Sequence, residues 1–221
     1  MAYKLYESDP GPEKEGPESA TRLVSGTVVN DCEGAAHGNV LVRIPALGEE
    51  VWARLVVAGG GQGTGIYYQP RIGDEVLVGL SGNDAFVMGG MFSPRAGPPV
   101  DTAADAQTKR VIRSGLKDRP DGHRIELDDG RRSLSITSTT GQRVTLTPEE
   151  ITLSNKAGTV SITLTDKNKR ITVKGADIEL EGTTSLTLKA PKIDITSTTG
   201  AVTINAQTGA TVIGGHPIKL N

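Results

Sequence analysis

The side chains that could support acid–base or metal chemistry are few and widely separated in this chain of 221 residues. Its three histidines are His37, His123 and His216, and none lies in a Glu-x-x-His or His-x-x-x-His frame that would bring metal ligands together. The single Cys32 excludes an intrachain disulfide and a multi-cysteine metal site. We therefore expect His37 and His123 to be exposed side chains without a catalytic role.

Two further patterns would suit chemistry in another context. Residues 58–65 are rich in glycine, but they lack the Gly-Lys-Ser/Thr ending of a phosphate-binding loop and no helix is predicted after them. The carboxylate pairs Asp128/Asp129 and Glu149/Glu150 fall at predicted turns, where we expect them to be solvated rather than held in a catalytic cleft. The sequence predicts neither an enzyme nor a cofactor.

The elements available to position a site are short strands. From residue 134 onward, pairs of Ile, Leu or Val one residue apart recur about every eight residues, with Thr, Ser or charged residues around them. Alternation with a period of two predicts half-buried strands, and a fixed short repeat is typical of a β-helix. Each strand has too few apolar side chains to cover a core alone, so several chains must share one.

We therefore predict an intertwined, trimeric, triple-stranded β-helix in which nearly every strand pairs with another chain. Aliphatic side chains would fill a narrow common axis, and polar side chains would point outward. The predicted trimer core consists of Ile151, Leu153, Ile162, Leu164, Ile171, Val173, Ile178, Leu180, Leu186, Leu188, Ile193, Ile195, Val202 and Ile204.

The first part of the chain predicts a smaller all-β domain. Five strand-like segments between residues 23 and 92, joined by Gly-rich turns, favour a partly open Greek-key barrel of the OB type. The expected core members are Trp52, Val56, Tyr67, Ile72, Val76 and Val78. The predicted domains are a flexible arm at 1–22, the OB domain at 23–95, a linker and neck at 96–122, and the β-helix at 123–221 with its tip at 212–221.

Charge and hydropathy narrow the range of partners. The formal net charge is −2, which does not indicate a nucleic-acid groove or an anionic membrane face. The chain has no run of about eighteen apolar residues and does not begin like a signal peptide. We expect assembly in the cytoplasm of the producing cell and no nucleic-acid partner.

Several segments resemble a known family. Residues 70–78 read Pro-Arg-Ile-Gly-Asp-Glu-Val-Leu-Val, the first strand contains a Gly-x-Val, and a later strand closes in Gly-Gly-Met-Phe. This part of the chain resembles the OB domain of baseplate spike proteins from contractile phage tails and their relatives, including the VgrG spikes of type VI secretion. Residues 212–221 resemble the end of the triple-stranded β-helix in such spikes.

The resemblance implies a structural, homotrimeric central spike that joins a baseplate hub protein to the tip and pierces the target-cell envelope on contraction. It would belong to a phage tail, a tailocin or an extracellular contractile injection particle. VgrG proteins carry a large N-terminal ring domain, and one phage spike carries an inserted lysozyme domain. Here the barrel begins near residue 23 and a short linker follows it. We therefore expect a minimal spike whose hub ring is a separate protein.

The C-terminal residues predict a docking surface. Gly214, Gly215, His216, Pro217, Ile218 and Leu220 would form a flat apolar end face, which a PAAR-type tip protein covers in similar spikes. Threefold symmetry would also gather three copies of His216. The His-x-His motif of iron-binding spike tips is replaced here by His216-Pro217-Ile218, so we expect no metal.

Two other functions fit parts of the pattern. A trimeric carbohydrate- or nucleic-acid-binding module would use the OB head as its site and the β-helix as a stalk, and such faces usually expose aromatic residues interleaved with Lys or Arg. The OB domain has few aromatic residues of this kind, namely Trp52, Tyr67 and Tyr68, and we expect them in the core or at an interface. A cell-wall lytic enzyme would need an inserted domain or a cleft, and the sequence shows neither.

Overall fold

The computed structural model describes residues 21–32, 38–115 and 121–215, and within these ranges the chain is almost entirely β. A closed five-stranded barrel near the N-terminus is followed by a seven-stranded sheet. The predicted all-β class and the N-terminal OB-type barrel are confirmed. No helix in the described part of the chain is long and apolar enough to span a membrane.

The barrel is built from five strands. They are β1 (Arg22–Asn30), β2 (Asn39–Ile44), β3 (Glu49–Leu55), β4 (Glu75–Ser81) and β5 (Asp84–Gly90). The order is β1-β2-β3-β5-β4, with β3 and β5 parallel and the other neighbours antiparallel. Because β1 also pairs with β4, the barrel is closed, whereas the sequence predicted a partly open one.

Small aliphatic side chains fill the barrel. The buried core consists of Val28, Val40, Val42, Ile44, Ala53, Val76, Val78, Ala85 and Val87. The prediction was right for Val76 and Val78 and wrong for four residues that are exposed: Trp52, Val56, Tyr67 and Ile72. Trp52 precedes the inward-facing Ala53 and must therefore point out of the barrel. The other three lie between β3 and β4, outside any strand.

Gly26 in β1 marks a close approach between two strands of the barrel. A Cβ atom at this position would lie 2.3 Å from Val42 Cγ1 and 3.0 Å from the backbone oxygen of Arg43. A side chain there must displace both the packed valine and the backbone of β2. The barrel therefore requires glycine at this point for lack of space, not for an unusual backbone angle.

We expect Gly26→Ala to lower the free energy of unfolding of the barrel by about 2–3 kcal/mol, the usual cost of overpacking a rigid core. The matched control is Gly89→Ala in β5, since a Cβ atom at Gly89 would meet nothing within 4 Å. Urea titration followed by Trp52 fluorescence reports on the barrel, because Trp52 is the single tryptophan. Equal midpoints for the two variants would contradict the prediction.

The second sheet begins within the segment that the sequence assigned to the linker and neck. A short helix, α1 (Ala103–Thr108), leads directly into β6 (Lys109–Arg113). The sheet continues with β7 (Arg124–Asp128), β8 (Ser133–Thr137), β9 (Arg143–Leu146), β10 (Glu150–Ser154), β11 (Ser161–Thr165) and β12 (Arg170–Lys174). The strands follow one another in sequence order, and every neighbouring pair is antiparallel.

This meander corrects one expectation about strand pairing. The prediction that nearly every strand pairs with another chain is wrong for residues 109–174, where each strand is hydrogen-bonded to its neighbour within the chain. Connections of a few residues, such as residues 147–149, favour hairpins over crossing to another subunit. Residues 175–215 are described without a strand, although they carry the same spacing of aliphatic pairs.

Candidate assembly surface

One face of the second sheet carries two continuous rows of aliphatic side chains. Directly paired residues in a sheet, and residues two apart in a strand, point to the same face. The first row is Ile112, Ile125, Ile136, Val144, Leu153, Ile162 and Val173, and the second is Leu127, Leu134, Leu146, Ile151, Leu164 and Ile171. We call these two rows the aliphatic ladder.

The described part of the chain leaves the aliphatic ladder largely open to solvent. Ile171 is 70% exposed and Leu153 is 52% exposed, and the other members are exposed or half-buried. The buried apolar cluster consists of barrel residues. Soluble monomers rarely expose a contiguous apolar patch that crosses seven strands, so this face has the properties of an interface.

The opposite face of the same strands is polar. Ser135, Thr145, Thr152, Thr163 and Thr172 form a row of hydroxyl side chains that are directly paired across five strands. Threonine suits this position because it is β-branched, favours strands and keeps a polar group toward water. The sheet is therefore two-sided, with one face suited to solvent and the other to a partner.

The residues predicted as the trimer core fall into two groups in the structure. Ile151, Leu153, Ile162, Leu164, Ile171 and Val173 all lie on the aliphatic ladder. The remaining residues, Ile178, Leu180, Leu186, Leu188, Ile193, Ile195, Val202 and Ile204, are exposed within residues 175–215, where the described chain has no strand. The structure thus brings the first group together and leaves the second without partners in the described chain.

The tip and histidine predictions are only partly within the described residues. Gly214 and Gly215 are described and exposed, whereas His37 and the tip residues His216, Pro217, Ile218 and Leu220 lie outside the described ranges. His123 is exposed, and its backbone N–H donates to Ser114 Oγ at 2.9 Å. The described residues contain no group of three or more His, Cys, Asp or Glu side chains that could hold a metal ion.

One carboxylate expected to be solvated is buried instead. Asp128 is only 4% exposed, while Asp129, Glu149 and Glu150 are exposed. The Asp128 carboxylate accepts a hydrogen bond of 2.9 Å from the backbone N–H of Arg131, and its other oxygen lies 3.8 Å from the Arg131 guanidinium. These contacts give Asp128 a structural role in the turn between β7 and β8, which explains its burial.

A chain of ion pairs connects the linker to the first two strands of the sheet. Lys109 Nζ lies 2.7 Å from Asp105 and 3.8 Å from Glu126. Arg124 donates to Glu126 at 2.9 Å and to the backbone oxygen of Pro99 at 3.0 Å. The i,i+4 spacing of Asp105 and Lys109 is a sequence signal for this contact, but the sequence analysis predicted only strands and did not include it. The network ties α1 to the polar face of β6 and β7.

The central pair of this network is stabilised in its charged form. The hydrogen bond from Lys109 lowers the pKa of Asp105, and the hydrogen bond to Asp105 raises the pKa of Lys109. A carboxylate whose pKa is lowered in the folded state stabilises the fold above that pKa, and this stabilisation is lost as the pH falls through the pKa. An ammonium group whose pKa is raised stabilises the fold below that pKa, and this stabilisation is lost as the pH rises through the pKa. The link between linker and sheet therefore persists throughout the neutral range.

The glycine-rich residues 58–65 form a closed turn. Gly61 and Thr64 exchange backbone hydrogen bonds of 3.1 and 3.3 Å, and the N–H of Ile66 donates to the oxygen of Ala58 at 3.1 Å. Since these N–H groups already have acceptors, the loop does not offer them to a phosphate. Beyond it, the hydroxyl of Tyr68 donates to the backbone oxygen of Arg113, so the loop contacts the start of the second sheet.

The outer surface of the barrel has one contact between a cation and an aromatic ring. The guanidinium of Arg54 lies 4.8 Å from the centre of the Phe86 ring, and Trp52 on the same strand is 38% exposed. Tyr67 and Tyr68 are exposed in the loop between β3 and β4. Among the described residues, the barrel surface thus carries a single Arg–aromatic stack rather than a series of aromatic residues interleaved with cations.

Residues 24–92 match the family model of the type VI secretion system/phage-baseplate injector OB domain. The match spans most of β1 and all of β2 to β5 and ends before the second sheet. The resemblance of this part of the chain to the OB domain of baseplate proteins is thereby confirmed, and the barrel is an injector OB domain. A search of curated proteins finds no match to the chain. The domain supports a structural role in the baseplate of a phage or related injection particle.

Proposed function

We propose that this chain is the homotrimeric central spike of a contractile injection machine, a VgrG-like protein that joins the hub to the tip and pierces the target envelope. The proposal is carried by one observation: an uncovered aliphatic ladder follows directly after a baseplate injector OB domain. The OB domain provides attachment to a separate hub protein. The ladder provides the surface on which three chains assemble.

We propose three copies, the number that the resemblance to baseplate spikes implies. Each copy supplies one two-sided sheet, and three such sheets can enclose a triangular prism with every aliphatic face turned inward. Two sheets packed face to face would also cover the ladder, but they would not gather three barrels around one axis for a symmetric hub. Beyond residue 174, strands from different chains would intertwine as a triple-stranded β-helix, which would supply partners for the second group of aliphatic pairs.

The mechanism is the transmission of force. In a prism of this kind the strands lie across the axis and are stacked about 4.8 Å apart, so backbone hydrogen bonds run along the direction of compression. A closed assembly also leaves few free strand edges. We propose that the spike acts without catalysis, is assembled in the producer cytoplasm, and carries a PAAR-type protein on its tip.

The alternative of a polymer-binding module has weaker support. A single Arg54–Phe86 stack on the barrel is the described feature that favours it. Nonspecific strand binding generally uses several stacking platforms along a basic groove. The aliphatic ladder would then serve merely to assemble a stalk, and the match to an injector domain would have no functional meaning.

Native mass spectrometry of the full chain tests the proposal. We expect a single species of three times the chain mass of 23.1 kDa, at concentrations down to the micromolar range. The assembled protein should also capture the hub protein encoded for the same particle, through the OB domain. A chain that remains monomeric or dimeric would show that the central-spike proposal is wrong.

A further inference from the structure

The strand ends and turns of the second sheet form its two long sides, and these two sides differ in charge. We call them the edges of the sheet. Along one edge, Arg113, Arg124 and Arg143 belong to a single cross-strand row, and Lys156 joins them to line a shallow groove together with Asp101 and Asp121. Arg124 is neutralised by Glu126. Within the described residues, neither Arg143 nor Lys156 makes an ion pair. Charges without an ionic partner inside the chain are available to a complementary surface of another copy.

The opposite edge carries unpaired acidic residues at a matching height. Glu149 ends the turn between β9 and β10, and Glu150 begins β10. Both are exposed, and neither makes an ion pair in the described part of the chain. The turn between β11 and β12 lies beside Glu149, because the backbone N–H of Asp166 donates to the backbone oxygen of Glu149 at 2.9 Å. Asp166 likewise makes no ion pair in the described part of the chain and adds to the negative charge at this height.

A threefold arrangement brings these two edges together. Copies related by rotation about an axis do not shift along it, so each edge meets the opposite edge of its neighbour at the same strand level. Arg143 begins β9, whereas Glu149 and Glu150 follow the other end of the same strand. The Lys156 side chain reaches back over Gly141, to the level of β9.

We infer that Arg143 and Lys156 of one copy bind Glu149 and Glu150 of the next, and that these contacts fix the register of the trimer. The inference rests on the proposed trimeric spike and names its edge contacts. Contacts of this kind matter because the aliphatic ladder repeats from strand to strand, and by itself it would also tolerate an asymmetric assembly in which one copy has slipped along the axis. A slip of two strands would place Arg143 near Arg131 and Arg132 of the neighbouring turn, and like charges would disfavour it.

Chemical cross-linking tests the inference. In a Cys32→Ser background, Glu149→Cys combined with Lys156→Cys should be converted by a short bis-maleimide into a covalent trimer on a denaturing gel. The two positions are about 20 Å apart within one chain, too far for an intrachain link by this reagent. Each single-cysteine variant should remain monomeric on the gel, and Arg131→Cys with Lys156→Cys, the pair for the slipped register, should give no covalent trimer.

The possible results separate this inference from the proposed function. A native trimer that yields no covalent trimer, or yields it with the slipped pair, would overturn the edge contacts while leaving the spike in place. A protein that is monomeric before treatment would overturn the proposed function itself. A further variant, Glu13→Cys with Lys156→Cys, tests whether the acidic N-terminal segment binds the basic edge instead. A covalent link in this variant, with none between positions 149 and 156, would overturn the edge contacts.

Charge exchange gives an independent readout. Glu149→Lys with Glu150→Lys should lower the dissociation temperature of the trimer by about 5 °C in low salt, and the difference should shrink near 1 M salt. Adding Arg143→Glu and Lys156→Glu should restore the temperature, because the pairs are re-formed with exchanged signs. If the fourfold variant is no more stable than the twofold one, the edges do not contact each other.

Discussion

Ile162→Asp should abolish assembly of the trimer while leaving the barrel folded. Ile162 lies on the aliphatic ladder, directly between Leu153 and Val173. Threefold symmetry would place three carboxylates together on a dry axis, at a cost of several kcal/mol for each ion. The barrel has its own buried core and should keep its Trp52 fluorescence. Native mass spectrometry at micromolar concentration should detect monomer.

Thr163→Asp is the matched control for this variant. Thr163 is the next residue of β11, but it lies in the hydroxyl row on the opposite face, between Thr152 and Thr172. The same charge is introduced one residue away and stays in solvent, so the trimer should persist. A trimer that survives Ile162→Asp as well as Thr163→Asp would show that the aliphatic ladder is not the assembly surface.

The period of two in the sequence was enough to predict the class of fold and the two faces of each strand. The pleat requires residues two apart to share a face, so Ile162 and Leu164 belong together whatever their strand pairs with. The same reasoning gives the polar position of Thr163. These predictions need only local geometry and therefore survive any change in the partner strand.

The partner strand itself could not be predicted from this period. A strand with two apolar side chains pairs equally well with the next strand of its own chain or with a strand of another subunit. Connections as short as residues 147–149 favour hairpins and could have indicated the meander up to Lys174. The small number of apolar side chains in each strand pointed instead to a core shared by several chains and to pairing between them.

The barrel core was mispredicted where the position of a residue, rather than its apolar character, decides whether its side chain faces inward. Trp52 and Tyr67 are large and apolar, but a closed five-stranded barrel has room mainly for valine, isoleucine and alanine. The alternation in β3 identifies Ala53 as the inward residue and excludes Trp52. For Tyr67 no alternation was available, because it lies in a connection whose course depends on tertiary contacts.

Removing residues 214–221 should abolish binding of a PAAR-type tip protein and leave the trimer intact. The aliphatic ladder ends at residue 173, so the assembly surface does not include the deleted residues. We expect native mass spectrometry to show an unchanged trimer, and a binding titration with the tip protein of the same particle to show no complex. Unchanged affinity after the truncation would contradict the predicted docking surface.

Point substitutions show whether the tip protein binds an apolar end face or only requires that the C-terminal residues are present. Leu220→Lys should weaken binding by more than about a hundredfold, because three copies each lose roughly 1.5–3 kcal/mol of apolar burial on one surface. Lys219→Ala is the matched control, since alternation places Lys219 on the side opposite Ile218 and Leu220, and its affinity should change little. An equal loss in both variants would mean that charge, rather than an apolar face, holds the tip protein.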